Sequence, residues 1–516
     1  MYCSTDPRAA HRSLLLASGS LAALAMSAGI ATAGDDGRFF DPGSLVISSS
    51  TYDPSKGAVA SLMVGTTLPD TATQTASAIA DNNYVTVWNN ASVDGSFGVT
   101  SPIELMDVDA FSGRVRHTLA VPTDEVVTSF SSKSELGLHF IRDWRGHRLV
   151  FVAYAGAGVG ALDVSNSDAV AGQDPTNPVT FAFGNNYAFH RTIVSMDDYR
   201  KFAYTPTINY GGNNGRAALL GSNGLYYSVG NANNGNAATF GPSNGTNPDV
   251  TQTTGLEVVN PINADTADVA IPAGNSAQVD PLMQFEFAPN PPDKPGKDNN
   301  YRGVTEYGGA LYFTKGSGSN GIDTVYTVDT LPTLANAAST TINIVPGFPT
   351  DSAKATGADF TPFAVFFANA TTMYVTDEGT GNATDAANHA GLEKWSLING
   401  TWQLDYVLTQ GLIGTVDTNL TGSAGPYPNV TTIGLRNLTG VVDGYGTVTL
   451  WATTSTSSTS GDNGADPNKV VRITDDVAAT TITGRVMRES FKTVVGPTYG
   501  TVFRGVAYVD YQPRWR

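Results

Sequence analysis

Four arginines in equivalent surroundings are the residues whose types and spacing could do chemistry. They stand at the start of strand-like runs, in "NNGRAAL", "NNYRGVT", "GLRNLTG" and "VFRGVAY", as Arg216, Arg302, Arg436 and Arg504. Guanidinium groups gathered at one level would bind a carboxylate or a phosphate through paired N–H donors. The alternative is structural, because each arginine could instead pair with an Asp or Glu of a neighbouring unit in this acid-rich chain.

Two acidic loops have the composition of a calcium site. The first, "TDEGTGNATDAAN", offers Asp377, Glu378 and Asp385, and the second is "SGDNGADPN" at 460–468. Calcium takes about six to eight oxygen ligands, which carboxylates and backbone carbonyls supply. Neither loop has the spacing of an EF-hand, and Asp, Asn and Gly are also the ordinary residues of turns. Calcium is therefore a candidate cofactor, and the sequence requires none.

Familiar catalytic motifs are missing from the sequence. No H-E-x-x-H or H-x-H occurs, which argues against a zinc hydrolase. His139 and His190 lie in apolar runs, which favours a place in the core or in a channel. The letters "GPSNG" at Gly241–Gly245 match G-x-S-x-G, but their polar flanks do not provide the strand and helix of a nucleophile elbow.

A repeated phrase indicates the elements that would position the arginines. The segments Asn213–Gly235 and Asn299–Gly321 align over 23 residues without a gap. Each contains an apolar run, a Gly or Asn turn, an alternating aromatic run ("GLYYSVG", "ALYFTKG") and a polar loop. This order is typical of an antiparallel meander, and its recurrence predicts a ring of similar sheets.

Weaker copies cover most of the chain. They span Leu136–Asn166, Thr361–Gly411 and Leu435–Asp476, and the strand-rich segment Ser96–Pro122 precedes the first of them. The C-terminal "FRGVAYV" copies only the first strand of the phrase, and its missing partners resemble "GSLVISSSTYDPSKGAVASLMVGTTLP" near the N-terminus. The sequence therefore predicts an all-β, single closed β-propeller of seven blades, sealed by N-terminal strands pairing with a C-terminal inner strand.

One stretch resembles a known class of propeller repeat. "MYVTDEGTGN" at Met373–Asn382 is similar to the second strand of YVTN and NHL-type repeats, which often reads Leu-Tyr-Val-x-Asp/Asn. The resemblance implies the propeller fold. It implies no functional residues, because these families bind and catalyse many different things.

Composition and charge narrow the class of protein. Of 516 residues, 41% are hydrophobic, 15% are charged and 55 are glycine, which suits many short strands joined by turns. The net charge of −17 argues against nucleic acid and anionic lipid as partners. We expect a monomer that binds no nucleic acid.

The N-terminal residues read as an export signal. Arg8 and Arg12 precede an apolar stretch, and "ATA" at Ala31–Ala33 is a small-x-small cleavage site. We expect residues 1–33 to be a signal peptide and residues 34–516 to be the propeller, secreted or periplasmic. The single cysteine, Cys3, lies in the signal, so we expect no disulfide. The rest of the sequence contains no second apolar stretch long enough to span a membrane, so we expect no membrane span.

Two classes of function remain open from the sequence, beside a third option of a structural extracellular protein. The first is a binding protein for a small anion, a glycan or a protein, held at the channel mouth or on the loop-rich face. The second is a propeller-fold hydrolase or lyase, such as a lactonase or an esterase-like phosphate hydrolase, because such sites are built from scattered loop residues. Absence of a catalytic signature favours the first class, and the sequence does not decide whether the protein is an enzyme.

Overall fold

The repeated phrase folds as the alternation of its residues predicts. In the computed structural model, the runs Val304–Tyr307 and Ala310–Lys315 pair in antiparallel register. The turn between them consists of Gly308 and Gly309, with φ of +61° and +82°. Two successive positive φ angles are the conformation that a tight hairpin needs and that glycine adopts without strain. The next strand, Thr324–Val328, then completes the meander.

The structure describes most of the chain beyond residue 37. The described residues are 38–61, 67–69, 75–77, 99–130, 132, 134–143, 146–161, 164, 190–211, 213–232, 254–281, 298–318, 320–355, 357, 359–381, 390–416, 421–422, 425–426, 430–457, 464–484 and 486–510. The predicted signal peptide, residues 1–33, lies outside them.

Short strands dominate the described residues. In chain order they are β1 Ser44–Thr51, β2 Thr67–Pro69, β3 Thr75–Ser77, β4 Thr100–Ser101, β5 Ile103–Asp109, β6 Val115–Ala120, β7 Val126–Ser129, β8 His139–Asp143, β9 Gly146–Ala155, β10 Arg191–Asp197, β11 Phe202–Thr207, β12 Gly215–Leu220, β13 Tyr226–Gly230, β14 Gly255–Val259, β15 Ser276–Gln278 and β16 Val304–Tyr307. They continue with β17 Ala310–Lys315, β18 Thr324–Val328, β19 Asn343–Ile344, β20 Pro362–Asn369, β21 Thr372–Asp377, β22 Gly391–Ile398, β23 Thr401–Leu408, β24 Gly414–Val416, β25 Thr421–Gly422, β26 Gly425–Pro426, β27 Val430–Val442, β28 Thr447–Ser457, β29 Val470–Asp476, β30 Lys492–Val495 and β31 Thr501–Tyr508. The 3-10 helices of the described residues are Ala58–Ser61, Ala337–Ser339 and Val486–Arg488.

The strands form a β-propeller of six blades, so the prediction of seven blades is wrong. Within the described residues the blades have the strand orders β31-β1-β5-β6, β11-β10-β9-β7-β4 with β8 also paired to β9, β12-β13-β14-β15, β16-β17-β18-β19, β20-β21-β22-β23 and β24-β27-β28-β29-β30. We call these the first to the sixth blade. The prediction of a closed propeller is corrected as well, because the described strands form separate sheets and none of these sheets closes on itself.

The miscount has a physical cause in the first blade. The segment Ser96–Pro122 contributed to the count of seven, but its strands β5 and β6 are the third and fourth strands of the first blade. β5 pairs with β1 in antiparallel register, although residues 52–102 separate the two along the chain. A long insertion between two paired strands of one blade therefore gave the sequence the look of an additional unit.

The two ends of the described chain meet in the first blade. β31 is its innermost strand and pairs antiparallel with β1, with Leu45 opposite Tyr508 and Thr51 opposite Thr501. Trp451 of the sixth blade is fully buried and stacks on Tyr508 with ring centroids 4.9 Å apart. Apolar clusters of this kind lie between neighbouring blades, so the core is divided among the blade boundaries.

A hydroxyl of the second strand links neighbouring blades at four blade boundaries. In the first blade, the Gly505 amide donates to the Ser48 hydroxyl at 2.7 Å, and this hydroxyl donates to the Leu136 carbonyl of the second blade at 2.9 Å. The equivalent hydroxyls also donate to the next innermost strand: Thr314 to the Phe363 carbonyl, Thr376 to the Arg436 carbonyl and Thr453 to the Arg504 carbonyl. This contact explains why the second strand ends its aromatic run in Ser or Thr.

Residues 37–516 form one compact unit. Among the described residues, no helix has the length and apolar character needed to cross a membrane.

Candidate functional site

Backbone irregularities at the innermost strands set the direction of the four arginines. Arg216, Arg436 and Arg504 each fall where the pairing of the innermost strand with the second strand shifts register. Arg302 lies two residues before β16, and its amide donates to the Thr314 carbonyl at 2.8 Å. A bulge in a strand re-aims the side chain that it carries. All four arginine side chains are buried.

Arg216 and Arg302 meet at one serine. The Ser134 hydroxyl accepts from Arg216 Nε at 2.9 Å and from Arg302 Nη1 at 2.6 Å. Arg216 Nη1 also donates to the Tyr301 carbonyl at 2.9 Å, whereas Arg302 Nε is buried and has no hydrogen-bond partner in the described part of the chain. The ion pairs of the described residues include neither arginine. Two guanidinium groups therefore share one neutral oxygen.

The other two arginines have different partners. Arg436 Nε lies 3.2 Å from Glu378 Oε2, which belongs to the neighbouring fifth blade. Arg504 donates to the carbonyls of Phe130 and Ser132. Of the two alternatives for the arginines, the Asp or Glu partner of a neighbouring blade is thus seen for Arg436, and Arg504 instead holds the segment that leads to β8.

The surroundings of Arg216 and Arg302 are unfavourable for two positively charged side chains. Burial lowers the pKa of Arg216 well below its usual value, and the charge of Arg302 lowers this pKa further. Burial also lowers the pKa of Arg302, to which the charge of Arg436 contributes. Glu378 acts in the opposite direction on both. We define Arg216, Arg302, Arg436 and Arg504 as the arginine cluster.

A buried carboxylate lies next to the arginine cluster. Glu135 Oε2 accepts from the Thr128 hydroxyl at 2.7 Å and from the Ser129 amide at 3.0 Å. Its Oε1 accepts from the Tyr154 hydroxyl and from Asn214 Nδ2, both at 2.5 Å. Because four donors already satisfy Glu135, it acts on Arg216 through its charge rather than through a direct ion pair.

A channel cavity begins one residue further along the same strands. It has a volume of about 250 Å³ and is lined by residues of all six innermost strands, including Gly137, Ala217, Gly303 and Asn437. His139 is also part of its wall, in agreement with the prediction that this histidine lies in the core or in a channel. The arginine cluster thus stands at the end of the central channel.

The predicted calcium residues have other partners in the structure. Asp377 is buried and accepts from the Thr361 amide at 2.7 Å, the Thr361 hydroxyl and the Gly379 amide at 2.8 Å. Glu378 faces Arg436. Asp385 lies outside the described residues, as do "GPSNG" and residues 460–463 of the second acidic loop. The calcium site therefore stays a prediction.

Sequence reasoning missed the partners of the arginines. Ser134 and Glu135 follow β7, in a segment that belongs to no repeat. Nothing in the local sequence "SSKSELG" marks a serine that accepts two guanidinium groups. The equivalence of the arginines was readable from the repeat, but their partners come from a long-range contact.

Comparisons with known proteins give little beyond the fold. No family model and no curated protein matches the chain. Among solved structures, extracellular domains 1–2 of Drosophila Semaphorin 1a match with 8% sequence identity over 79% of each chain, with a TM-score of 0.27. A likeness at this level carries no argument about function. The assignment of the chain as a β-propeller rests on its own sheet topology.

Proposed function

We propose that the protein is an exported binding protein that holds a small anion at the arginine cluster. One observation carries the proposal. Arg216 and Arg302 are buried, share the Ser134 hydroxyl, and have no carboxylate within ion-pair distance among the described residues. The charges of Glu135 and Glu378 act on this pair without a direct ion pair, and a negatively charged ligand would supply the direct counter-charge.

Because Arg216 and Arg302 are buried, a directly bound counter-charge would stabilise them. A charged group removed from water is costly unless it is paired and hydrogen-bonded. Arg302 Nε is a buried donor to which no described residue offers an acceptor, and the burial of Arg216 and Arg302 lowers the pKa of both. A carboxylate or phosphate oxygen would satisfy such donors and favour the charged state of both arginines.

The ligand class follows from the geometry of guanidinium groups. Planar N–H pairs match the oxygens of carboxylate and phosphate groups better than they match halides. The remainder of the chain is acidic, with a net charge of −17, so a local positive cluster would be the preferred place for an anion. We propose a small carboxylic acid, an acidic sugar or a phosphate ester as the ligand.

Calorimetric titration and thermal unfolding with phosphate, citrate and glucuronate test the proposal. We expect at least one anion to bind the wild type and to raise its melting temperature. We expect Arg216→Ala and Arg302→Ala to weaken that binding about tenfold or more, since a charge-assisted hydrogen bond contributes about 1.5–3 kcal/mol. The matched control is Arg472→Ala, because Arg472 lies over the Phe111 ring and outside the cluster; this variant should bind like the wild type.

A purely structural role gives a different result. In that case both cluster variants would lose several kcal/mol of unfolding free energy, and none of the anions would raise the melting temperature of the wild type. That pair of outcomes would overturn the proposal. The same compounds, extended to lactones and phosphoesters and followed for consumption, test the enzyme alternative, because turnover would move the protein to that class.

A further inference from the structure

A second cluster of polar residues lies in the first blade, away from the arginine cluster. Asp107 on β5 and His117 on β6 are direct cross-strand partners, so their side chains stand on the same face of the blade. Asp41 belongs to the turn before β1, where its carbonyl accepts from the Ser44 amide at 3.0 Å. One ligand atom from each of Asp41, Asp107 and His117 lies within 4.8 Å of the other two.

Asp107 provides an independent sign that a ligand is involved. Its side chain is 0% exposed, and both carboxylate oxygens are buried without a hydrogen-bond partner among the described residues. A buried carboxylate without donors is costly, so a cation bound there would remove a large unfavourable term.

The other two side chains provide access from solvent. The Asp41 side chain is 40% exposed and that of His117 is 28% exposed, and Asp41 Oδ2 lies 3.9 Å from His117 Nε2. Arg116 competes for Asp41, because its Nη1 lies 3.2 Å from Asp41 Oδ2. Its Nη2 lies 2.8 Å from Asp109 Oδ2, so Arg116 keeps a partner when Asp41 turns away.

We propose that Asp41, Asp107 and His117 bind a divalent transition-metal ion of the zinc or manganese class. One imidazole nitrogen and two carboxylates are a mixed donor set that such ions accept, whereas calcium and magnesium prefer oxygen donors alone. In a tetrahedral zinc site, bonds of about 2.0–2.2 Å place ligand atoms roughly 3.3 Å apart. Side-chain rotations that move each ligand atom by about 1 Å would bring the three groups from their present separations to that spacing.

A metal here would join three parts of the first blade. It would connect the turn before β1 to the two outer strands, β5 and β6, in the blade that also contains β31. Binding a folded state stabilises it in proportion to ligand concentration and affinity. The site would therefore strengthen the blade in which the two ends of the described chain meet.

The test uses the full-length chain after treatment with a chelator. Titration calorimetry and thermal unfolding with Zn²⁺, Mn²⁺, Ca²⁺ and Mg²⁺ should show one equivalent of Zn²⁺ or Mn²⁺ bound and a raised melting temperature. Asp107→Asn and His117→Gln should weaken binding at least about tenfold, since even residues that only orient metal ligands change affinity by about 10–100-fold. Asp107→Asn should fold without metal, because it removes a buried charge.

Two control variants, and one variant that we expect to bind metal more tightly, test whether binding is specific to this site. Asp265→Asn changes an exposed carboxylate beside Lys201, and His147→Gln changes a histidine that faces Asp198; both should bind metal like the wild type. Arg116→Gln should bind metal more tightly, because it removes the competitor for Asp41. The proposal is overturned if the wild type binds no transition metal, or if Asp107→Asn and His117→Gln bind it as tightly as the wild type.

Discussion

The Thr376 hydroxyl donates to the Arg436 carbonyl at 2.6 Å, across the boundary between the fifth and sixth blades. The same hydroxyl accepts from the Ala364 amide at 3.0 Å. One side-chain oxygen therefore ties the innermost strand of its own blade to the innermost strand of the next blade. Ser48 makes the same pair of contacts between the first and second blades, so the hydroxyl is a feature of the repeat.

Thr376→Val should destabilise the protein by about 1–3 kcal/mol, because the buried Arg436 carbonyl and Ala364 amide would lose a partner while the shape of the side chain is kept. Denaturant unfolding measures this difference in free energy. Thr401→Val is the control, since Thr401 is exposed on β23, and it should change the free energy by less than about 0.5 kcal/mol. Equal stability of the two variants would show that the blade-to-blade bond contributes nothing.

A glycine follows the arginine in two of the four units, as Gly303 and Gly505, where the next blade leaves no room for a Cβ atom. A Cβ atom on Gly505 would lie 2.3 Å from the Leu136 carbonyl oxygen of the second blade, and one on Gly303 would lie 2.6 Å from the Phe363 carbonyl oxygen of the fifth. Gly505→Ala should therefore push neighbouring blades apart and cost about 1–3 kcal/mol. Gly496→Ala is the matched control, because no atom of the residues that the structure describes lies within 4 Å of its Cβ position. A Gly505→Ala protein as stable as this control would mean that the blade boundary yields easily.

The repeat allowed the propeller fold to be predicted from the sequence, but not the order in which the strands of the first blade are connected. The alignment of Arg216 with Arg302 and Arg504 predicted all three at the start of innermost strands; the structure has Arg216 and Arg504 on β12 and β31, and Arg302 two residues before β16. The alignment could not assign β5 and β6 to the blade of β1. Strand pairing depends on which hydrophobic faces meet, and the residues between β1 and β5 contain strand-like runs that compete for that place.

The residues of the candidate sites also fall into those that the repeat predicted and those that it did not. The arginine cluster was predicted because a repeat carries equivalent side chains to equivalent positions. Ser134 was missed since it lies in a connection outside the repeat, and the trio Asp41, Asp107 and His117 was missed because only Asp107 and His117 share a strand pair. Contacts set by loops and long-range pairing leave no periodic signal.

The C-terminal strand is expected to be essential for the stability of the whole unit. β31 supplies the innermost strand of the first blade, and its Phe503, Val506 and Ala507 are buried in the clusters on either side. Deleting residues 502–510 would expose β1 and both clusters, so we expect loss of the cooperative unfolding transition rather than fraying at one end. Adding a synthetic peptide of residues 498–510 should restore part of the transition. A truncated protein that unfolds cooperatively at the original temperature would contradict this.

His139 gives the protein a defined response to acid. Burial lowers its pKa to about 4, and its Nδ1 is buried without a hydrogen-bond partner among the described residues. The unfolded chain has the ordinary pKa of about 6.5, so between these two values the unfolded state binds more protons than the folded state. Stability contributed by neutral His139 is therefore present above pH 6.5 and is lost as pH falls towards 4.

His139→Gln and His139→Leu should both remove this part of the pH dependence. Binding of one proton changes the unfolding free energy by at most about 1.4 kcal/mol per pH unit. The change should be smaller here, because His139 lines the channel cavity and contact with water there would reduce the effect of burial. Asp107 and Asp377, whose pKa burial raises to about 7, act in the opposite direction, so the quantity to compare is the difference between variant and wild type. Denaturant unfolding at pH 7.5, 6, 5 and 4.5 should show that difference moving in favour of the variants as pH falls. A difference that is constant with pH would mean that His139 is as easily protonated in the folded protein as in the unfolded chain.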